Sequence, residues 1–436
     1  MAALALPGLA ACGNGSSGSE YGQVDAKVPD KYKKRQTIVL WTSWTKTNGD
    51  ALNVLLQKFN DSQSDIYAQA QYQGDYFDAA SKLTAALRAR SIPDIVGFAD
   101  IVWQPFLENE YLEELSAGYA DKKFQDTLEP SLASTGYVNK KLYWLPFARS
   151  TPIFYYNKTL FNKAGLPDRG PKTWTELREW GSDIVKVKVS GKPAKVTSFQ
   201  GKDDWELQAS VWEFGGTLSK GLDITIDQGG SLECMEWMRN LIFKDKMAYL
   251  EASYGTDFNS GLVAAYMNST GALQGTAEAA KAAKFEFGTS PLPTQKDTGI
   301  PTGGAGLTML KPISKERKDG AWEVIKFLST PESSAFWSLK TGYLPVIKAA
   351  KKNADYADAL KSDPNLMTAI NQMPKARARD AVSGWVPNAD PSIYNALQKI
   401  YGNNEPSEKV LGPLAKQLQK SADKIRPKYK KYFPKG

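Results

Sequence analysis

The chain has no histidine among its 436 residues and only two cysteines. Histidine is the commonest metal ligand and the usual general base near neutral pH, so its absence argues against metal sites and imidazole catalysis. No apolar run reaches about 18 residues, the length that a membrane-spanning helix needs. We therefore expect no bound metal, no cofactor and no spanning helix.

The two cysteines occur in different contexts. Cys234 lies in a helical pattern over residues 231–242, where a buried, unreactive thiol is expected. Cys12 follows Leu9-Ala10-Ala11 after an apolar stretch, and this arrangement resembles the lipobox of bacterial lipoproteins. The resemblance implies that residues 1–12 form a signal peptide and that a lipid on Cys12 anchors the chain to the extracytoplasmic face of the cell membrane. The alternative is an accidental cysteine in a disordered start.

The net charge of +8 is partly local, because basic residues such as Lys424, Lys430 and Lys431 crowd the C-terminal end. A basic end can bind nucleic acid or anionic lipid, but a solvated helix end is the commoner explanation. No RNA-binding aromatic motif or zinc-finger spacing accompanies these charges, so no nucleic-acid partner is expected.

The order of the predicted elements indicates an α/β protein. Residues 13–36 are rich in Gly and Ser, then in Lys, and predict a flexible tether. From residue 37 short apolar strands alternate with helices whose apolar residues recur every three or four positions, as at Leu52, Leu55 and Phe59. This alternation predicts βαβ units and a mostly parallel sheet. A chain of this length is expected to form two domains.

Residues 143–176 form the most informative stretch. A Pro-interrupted apolar run leads into a strand over residues 153–156, and Asn157 ends it. Thr173, followed by Glu176 three residues later, predicts a capping box at the start of another helix.

The pattern P-F-x-x-S-T-P-x-F-Y-Y-N-K-x-x-F-x-K-A-G-L…P-K-T-W, which begins at Pro146, resembles the extracellular solute-binding proteins of ABC importers. Two further motifs agree: T-G-G-A-G-L at residues 302–307, and F-L-S-T-P-E at 327–332 with K-T-G-Y-L-P at 340–345. The resemblance spans roughly Ile38 to the C-terminus and is nearest to the branch that binds glycerol-3-phosphate and its diesters.

The resemblance implies a two-lobed periplasmic-binding-protein fold in which each lobe is a mostly parallel sheet flanked by helices. Hinge crossovers would join lobe 1, residues 37–147 and 292–344, to lobe 2, residues 148–291 and 345–436. Such a protein, expected to be a monomer, closes around a small ligand and delivers it to the transmembrane subunits of a permease, without catalysis.

The resemblance also implies a set of ligand-binding residues in lobe 1 and at the crossovers. Tyr76 follows the second strand and Asp100 closes the third, where open α/β sheets bind ligands. Ser150 and the backbone of Gly304 would add hydrogen bonds, and Tyr343 would touch the ligand. Asp100 could instead cap the following helix, and Tyr76 could be a surface aromatic residue at a helix start.

In lobe 2 the resemblance points to Ser269, with Thr270 beside it, at a strand-to-helix turn. Backbone N–H groups at a helix start suit phosphate or hydroxyl oxygens, although both side chains could simply cap the helix. Of Trp205 and Trp212, we expect Trp205 to line the cleft because it adjoins a polar turn.

The chain departs from the glycerol-3-phosphate branch at the arginine that grips phosphate, because Val386 stands at that position. Arg149, Arg377 or Arg379 could replace it. Trp385 in the same segment suggests a stacking platform for a sugar ring. We therefore expect a sugar or short oligosaccharide as ligand, with a glycerophosphoryl compound as the alternative.

Two other functions fit the sequence less well. A glycoside hydrolase could use carboxylates such as Glu113-Glu114 or Asp203-Asp204, but adjacent residues point in different directions and no acid and base stand out. A surface adhesin is compatible with a tether but not especially with βαβ units.

Overall fold

A computed structural model describes residues 20–202 and 204–433 of the chain. Ten strands in this part of the chain form two five-stranded sheets. The strands are β1 (Gln36–Thr42), β2 (Ile66–Tyr72), β3 (Ile95–Ala99), β4 (Leu145–Ser150), β5 (Pro152–Asn157), β6 (Lys195–Gln200), β7 (Ala248–Glu251), β8 (Val263–Ser269), β9 (Phe287–Ser290) and β10 (Gly303–Met309).

Both sheets have one antiparallel strand among parallel ones. The first sheet has the order β2-β1-β3-β10-β4, and β10 runs antiparallel to both of its neighbours. The second has the order β7-β6-β8-β5-β9, and β5 is the antiparallel strand. The predicted α/β class with mostly parallel sheets is thus confirmed.

Helices cover both sheets. The longer ones are α1 (Lys46–Ser62), α2 (Tyr76–Ala89), α3 (Trp174–Ile184), α4 (Asp204–Glu213), α5 (Gly229–Phe243), α6 (Leu273–Ala283), α7 (Lys315–Leu328), α8 (Pro331–Thr341), α9 (Ala354–Ser362), α10 (Pro364–Gln372), α11 (Ala389–Leu397) and α12 (Ser407–Tyr432). Shorter α-helical segments are Gln104–Glu108, Leu115–Gly118, Lys122–Gln125, Pro130–Ala133, Lys158–Lys163, Thr256–Asn259 and Val382–Trp385.

Local sequence signals explain the buried face of α1 and the start of α3. Helix α1 buries the predicted apolar stripe of Leu52, Leu55 and Phe59. At the start of α3, Thr173 accepts a hydrogen bond from the backbone N–H of Glu176 at 2.9 Å, which is one half of the predicted capping box. The other half is absent, because the Glu176 carboxylate accepts from the amide of Lys172 and from Arg169 instead.

The chain crosses between the sheets at three places. Thr151 alone separates β4 in the first sheet from β5 in the second. The return from β9 to β10 passes through the two-residue strand Ile300–Pro301. The chain leaves the first sheet's helices after α9, which packs on α8, and α10 then packs on β9. There the strand Ala376–Arg377 pairs with Ile300–Pro301, so the second and third crossings lie side by side.

The tether predicted over residues 13–36 is wrong for residues 20–36. The strand Gly22–Gln23 pairs with Ser91–Ile92, and Arg317 donates a hydrogen bond to the carbonyl of Tyr21 at 2.9 Å. Tyr32 is buried and stacks on Tyr67 with ring centroids 4.6 Å apart. Partners that are distant in sequence hold the segment, which local composition cannot reveal. The signal peptide, Cys12 and residues 13–19 lie outside the described residues.

A carboxylic acid in the core of the second sheet's lobe has no ion-pair partner among the described residues. Glu213, at the end of α4, is 1% exposed and accepts a hydrogen bond from the indole N–H of Trp174 at 2.6 Å. Its other oxygen has no hydrogen-bond partner among the described residues. Burial raises the pKa of Glu213 well above its ordinary value of 4.5. Cys234 is buried nearby as an unpaired thiol, as expected.

We predict that Glu213→Gln changes how stability depends on pH. In the wild type, the unfolded chain ionises Glu213 above pH 4.5 while the folded chain keeps its proton, so the free energy of unfolding falls as pH rises toward the folded pKa. The amide cannot ionise. Urea unfolding of both proteins from pH 4 to pH 8 should show an advantage of the variant that grows with pH. A constant difference over this range would contradict the prediction.

Candidate ligand-binding site

A buried ion pair lies where the first crossover leaves the first sheet. Arg149, the second-last residue of β4, donates a hydrogen bond to Asp100 at 2.9 Å, and the two side chains are 0% and 5% exposed. Burial lowers the pKa of Arg149, and the charge of Asp100 opposes this effect. The Arg149 guanidinium also lies 4.9 Å from the ring centroid of Trp144 and donates to the hydroxyl of Thr135 at 3.3 Å.

The pair is held by backbone hydrogen bonds from the other crossing segments. The amide of Asp100 donates to the carbonyl of Gly304 at 3.0 Å, and the amide of Leu344 donates to the carbonyl of Arg149 at 2.7 Å. Gly304 has φ +93°, and a Cβ there would lie 2.0 Å from the carbonyl oxygen of Ala148. Only glycine fits at this position.

Two predicted tyrosines meet beside this pair. The indole of Trp44 donates to the hydroxyl of Tyr76 at 3.1 Å, and Tyr343 stacks on Trp337 with ring planes 8° apart. Burial, followed by the neighbouring Tyr343, raises the pKa of Tyr76 well above 10. Asp100 contributes to the same shift, which places it within electrostatic reach of the two hydroxyl groups.

The turn after β8 packs against Tyr343. A Cβ at Gly271 would lie 2.7 Å from the Tyr343 ring. Ser269 accepts a hydrogen bond from the amide of Gly271 at 3.0 Å, so it caps the short helical turn, in agreement with the capping alternative. Thr270 is buried, and its hydroxyl has no partner among the described residues.

Trp205 reaches the crossovers from the second lobe. It lies in the first turn of α4, and a Cβ at Gly303 would lie 2.5 Å from the Trp205 ring. The tryptophan therefore covers the start of β10. Ser150 pairs with Gly303 in the sheet and is 2% exposed.

A second buried ion pair comes from the other lobe. Arg379 donates to Asp204, and their side chains are 7% and 1% exposed. Burial alone would raise the pKa of Asp204, but the charge of Arg379 and a hydrogen bond from Ser383 lower it. Asp204, Asp100 and Asp390 together raise the pKa of Arg379 against the opposing effect of burial. The second pair therefore lies within electrostatic reach of the first.

A cavity of about 180 Å³ lies between the two lobes. Asp100 and Arg379 are its only charged lining residues among those the structure describes. The lining also includes Gln104, Tyr137, Ser383, Trp385, Tyr429 and Phe433. Of the predicted site residues, Asp100 and Trp385 line this cavity. The other predicted site residues are not among its lining residues: Tyr76, Arg149, Ser150, Trp205, Ser269, Thr270, Gly304 and Tyr343.

Sequence reasoning did not select several residues of the cavity. The sequence offers Arg379 only as one of three arginines that could replace the phosphate-binding arginine of the family. It does not single out Ser383 or the last turn of α12 as site residues. The sequence suggests Asp204 only as a possible catalytic carboxylate, whereas the structure buries it in an ion pair with Arg379. Among residues 20–202 and 204–433, no group of three or more acidic or cysteine side chains is arranged to hold a metal ion. In the same part of the chain, no helix is long and apolar enough to cross a membrane.

Comparison with known proteins identifies relatives of this arrangement. The profile of a family described as bacterial extracellular solute-binding protein matches residues 55–368. The sn-glycerol-3-phosphate-binding periplasmic protein UgpB of Escherichia coli (strain K12) is 29% identical over 362 residues, which cover 77% of this chain and 80% of UgpB.

Solved structures agree with this family. UgpB from Mycobacterium tuberculosis, crystallised in complex with glycerophosphocholine, superimposes with a TM-score of 0.84 and 32% identity over 89% of this chain and 98% of that one. The cyclic alpha-maltosyl-1,6-maltose binding protein from Arthrobacter globiformis superimposes with a TM-score of 0.73 and 24% identity, over 89% and 99% of the two chains. At this lower identity the second comparison shows the fold alone.

We predict that Arg149→Met lowers the free energy of unfolding by about 3–5 kcal/mol, because it leaves the Asp100 carboxylate buried without its cation. Combining it with Asp100→Asn should recover part of the loss. Arg426→Met, which breaks surface pairs with Asp223 and Asp423, is the matched control and should cost less than about 1 kcal/mol. Urea unfolding measures all four proteins. Equal small losses for Arg149→Met and Arg426→Met would show that the buried pair does not support the fold.

Proposed function

Since the chain belongs to the family of bacterial extracellular solute-binding proteins, which serve ABC importers, we propose that it captures a glycerophosphoryl compound between its two lobes. The ligand would occupy the cavity lined by Asp100 and Arg379. The protein would then deliver it to the transmembrane subunits of a permease.

The guanidinium of Arg379 carries this proposal. It is buried, it lines the cavity, and its Nε–H has no hydrogen-bond partner among the described residues. A guanidinium offers several N–H donors in one plane, and phosphate oxygens are the acceptors that fit them best. Arg379 thus supplies, from a different position, the guanidinium that the glycerol-3-phosphate branch has where this chain has Val386.

The opposite wall of the cavity suits hydroxyl groups. Asp100 gives one oxygen to Arg149, and a carboxylate keeps further lone pairs for ligand hydroxyls. Gln104, whose side-chain amide donates to the Asp100 carbonyl at 2.7 Å, has a carbonyl oxygen without a partner among the described residues. A glycerol group therefore fits at this end and a phosphate at the other.

The named relatives support this ligand class. UgpB from M. tuberculosis was crystallised with glycerophosphocholine, and the E. coli protein is named for sn-glycerol-3-phosphate. A sugar or short oligosaccharide remains the second candidate. It is favoured by Trp385 in the cavity wall, because an indole ring can cover the apolar face of a sugar.

Closure is proposed to be a hinge motion at the three crossings. Asp100 belongs to the first lobe and Arg379 to the second, so a ligand that binds both stabilises the closed state over the open one. No covalent bond is formed or broken in this process. The predicted contacts of Tyr76, Ser150, Trp205, Ser269, Thr270, Gly304 and Tyr343 are proposed to act at or beside the glycerol end.

We also propose that Cys12 carries the lipid anchor and that the protein acts as a monomer. The sequence Leu9-Ala10-Ala11-Cys12 supports the anchor. The proposed location is the extracytoplasmic face of a bacterial cell membrane, beside the permease.

We predict that Arg379→Gln combined with Asp204→Asn weakens binding of sn-glycerol-3-phosphate about tenfold to a hundredfold. One charged hydrogen-bond donor is lost, which corresponds to about 1.5–3 kcal/mol. The paired change keeps the buried network neutral, so folding is preserved. Isothermal titration calorimetry with sn-glycerol-3-phosphate, glycerophosphocholine and maltose measures the effect.

Arg377→Ala is the matched control. This arginine is exposed, lies two positions away and rests 3.8 Å from the Trp212 ring centroid. The Arg377→Ala variant should bind sn-glycerol-3-phosphate and glycerophosphocholine with the same dissociation constants as the wild type. If the wild type binds maltose and neither glycerophosphoryl ligand, the sugar candidate replaces our proposal.

We predict that Cys12→Ala releases the protein from the membrane. Cells that express the full chain and are fed a clickable fatty acid should label the wild type, which should fractionate with membranes. The variant should be unlabelled and should appear in the soluble extracytoplasmic fraction, because it lacks the modified thiol. Labelling of the variant would contradict an anchor at Cys12.

A further inference from the structure

A group of exposed lysines lies where the end of α12 meets the first lobe. Lys431 lines a cavity of about 280 Å³ that is separate from the ligand cavity, and Lys141 and Lys311 of the first lobe line it as well. Lys428 and Lys430 precede Lys431 at the end of α12. All five residues are exposed. They are called the basic patch below.

The basic patch carries more positive charge than its surroundings neutralise. Lys311, Lys430 and Lys431 form no ion pair among the described residues. The other two lysines each have one glutamate partner, at 2.7 Å and 3.8 Å. Glu110 is the only acidic residue in the described lining of the cavity. Five lysines against three glutamates leave an excess of positive charge on this surface.

The described chain begins beside the basic patch. The amide of Tyr21 donates to the carbonyl of Pro312 at 2.8 Å, and Pro312 directly follows Lys311 in the sequence. The next two residues pair with a strand of the first lobe, so this end of the chain is fixed. Eight residues separate Tyr21 from Cys12, and an extended backbone spans at most about 30 Å over that length. A lipid on Cys12 would therefore keep the membrane surface close to the patch.

We propose that the basic patch is a docking surface for the anionic phospholipid headgroups of the bilayer that holds the Cys12 lipid. The inference rests on the proposed anchor and is independent of the identity of the ligand. Anionic lipids give a membrane a negative surface potential, which attracts clusters of lysine beside an anchor. A tether alone leaves the protein free to turn about one point. The basic patch supplies a second contact, which fixes one orientation.

This orientation concerns the ligand cavity. Tyr429 and Phe433 belong to the same end of α12 and line the cavity between the lobes. A protein docked through the basic patch would hold this wall of the cavity toward the bilayer, which contains the permease.

Anionic lipid fits the basic patch better than nucleic acid does. Both are polyanions that exposed lysines attract. The proposed anchor places the patch at a bilayer on the extracytoplasmic side, and the sequence contains no nucleic-acid-binding motif beside these lysines. Charge and position therefore agree on lipid.

The test measures binding of the full chain carrying Cys12→Ala to vesicles, so that neither a lipid anchor nor a ligand takes part. Vesicles of equal parts phosphatidylglycerol and phosphatidylcholine should bind the protein at an ionic strength of about 0.01 M. Binding should weaken at least about tenfold at about 0.15 M, because the screening length falls from about 30 Å to about 8 Å. Co-sedimentation gives the dissociation constants. Pure phosphatidylcholine vesicles should bind little, and they report any contribution of residues 1–11, which have no charged side chain.

Removing the unpaired lysines should weaken this binding. Lys311→Gln, Lys430→Gln and Lys431→Gln, combined in one protein, should raise the dissociation constant for the anionic vesicles about tenfold to a hundredfold at low salt. The unfolding temperature should stay at that of the parent protein, because all three residues are exposed.

A second triple variant with the same net charge is the matched control. Lys163→Gln, Lys188→Gln and Lys192→Gln remove three exposed lysines of the second lobe. Because these residues are not part of the basic patch, the dissociation constant should change less than about threefold.

Three results would overturn the proposal. Equal losses for the two triple variants would mean that net charge alone attracts the protein. Absence of binding to the anionic vesicles at low salt, or equal binding to pure phosphatidylcholine, would show that the patch does not recognise anionic lipid. Binding to duplex DNA as tight as to the anionic vesicles would show a general polyanion surface. Glycerophosphoryl binding and the labelling of Cys12 are measured separately, so failure of the proposed function or of the anchor is distinguishable from failure of the patch.

Discussion

The buried ion pair between Arg149 and Asp100 holds the place where the two sheets meet. A buried pair is costly to desolvate and is retained only when its partners and hydrogen bonds are fixed. Here the backbone of Asp100 is bonded to Gly304 and that of Arg149 to Leu344, so one charge pair joins the ends of β3, β4 and β10 to the segment that follows α8. The pair therefore holds these strand ends of the first sheet together, because separating them would leave two buried charges unpaired.

The second ion pair gives this arrangement its relation to a ligand. Arg379 and Asp204 belong to the other lobe, yet they lie within electrostatic reach of Asp100. Each pair is neutral by itself, so the lobes are not drawn together by a strong net attraction. A molecule with acceptors for Arg379 and hydroxyls for Asp100 supplies the missing contacts, and closure then follows from binding both lobes at once.

Much of this could be predicted because the signals are local. Strand and helix periodicity predicts the α/β class, Thr173 predicts a helix cap, and Asp100 stands at a strand end where such sheets bind ligands. The two-lobed arrangement is implied by the resemblance to a family and not by periodicity. What could not be predicted depends on contacts between distant residues. Residues 20–36 are held by contacts such as that of Arg317 with Tyr21, and the ion pair of Asp204 depends on the return of the chain at Arg379. Tyr429 and Phe433 line the cavity because α12 ends beside it. No local sequence pattern around Tyr429 predicts its place in the cavity wall.

The most direct test of the central claim is a crystal structure of the protein grown with glycerophosphocholine, at a resolution that locates the phosphorus atom. The phosphate should lie against the guanidinium of Arg379 and the glycerol hydroxyls within hydrogen-bond distance of Asp100, with residues of both lobes around one enclosed ligand. A ligand bound to one lobe alone, or a phosphate remote from Arg379, would contradict it.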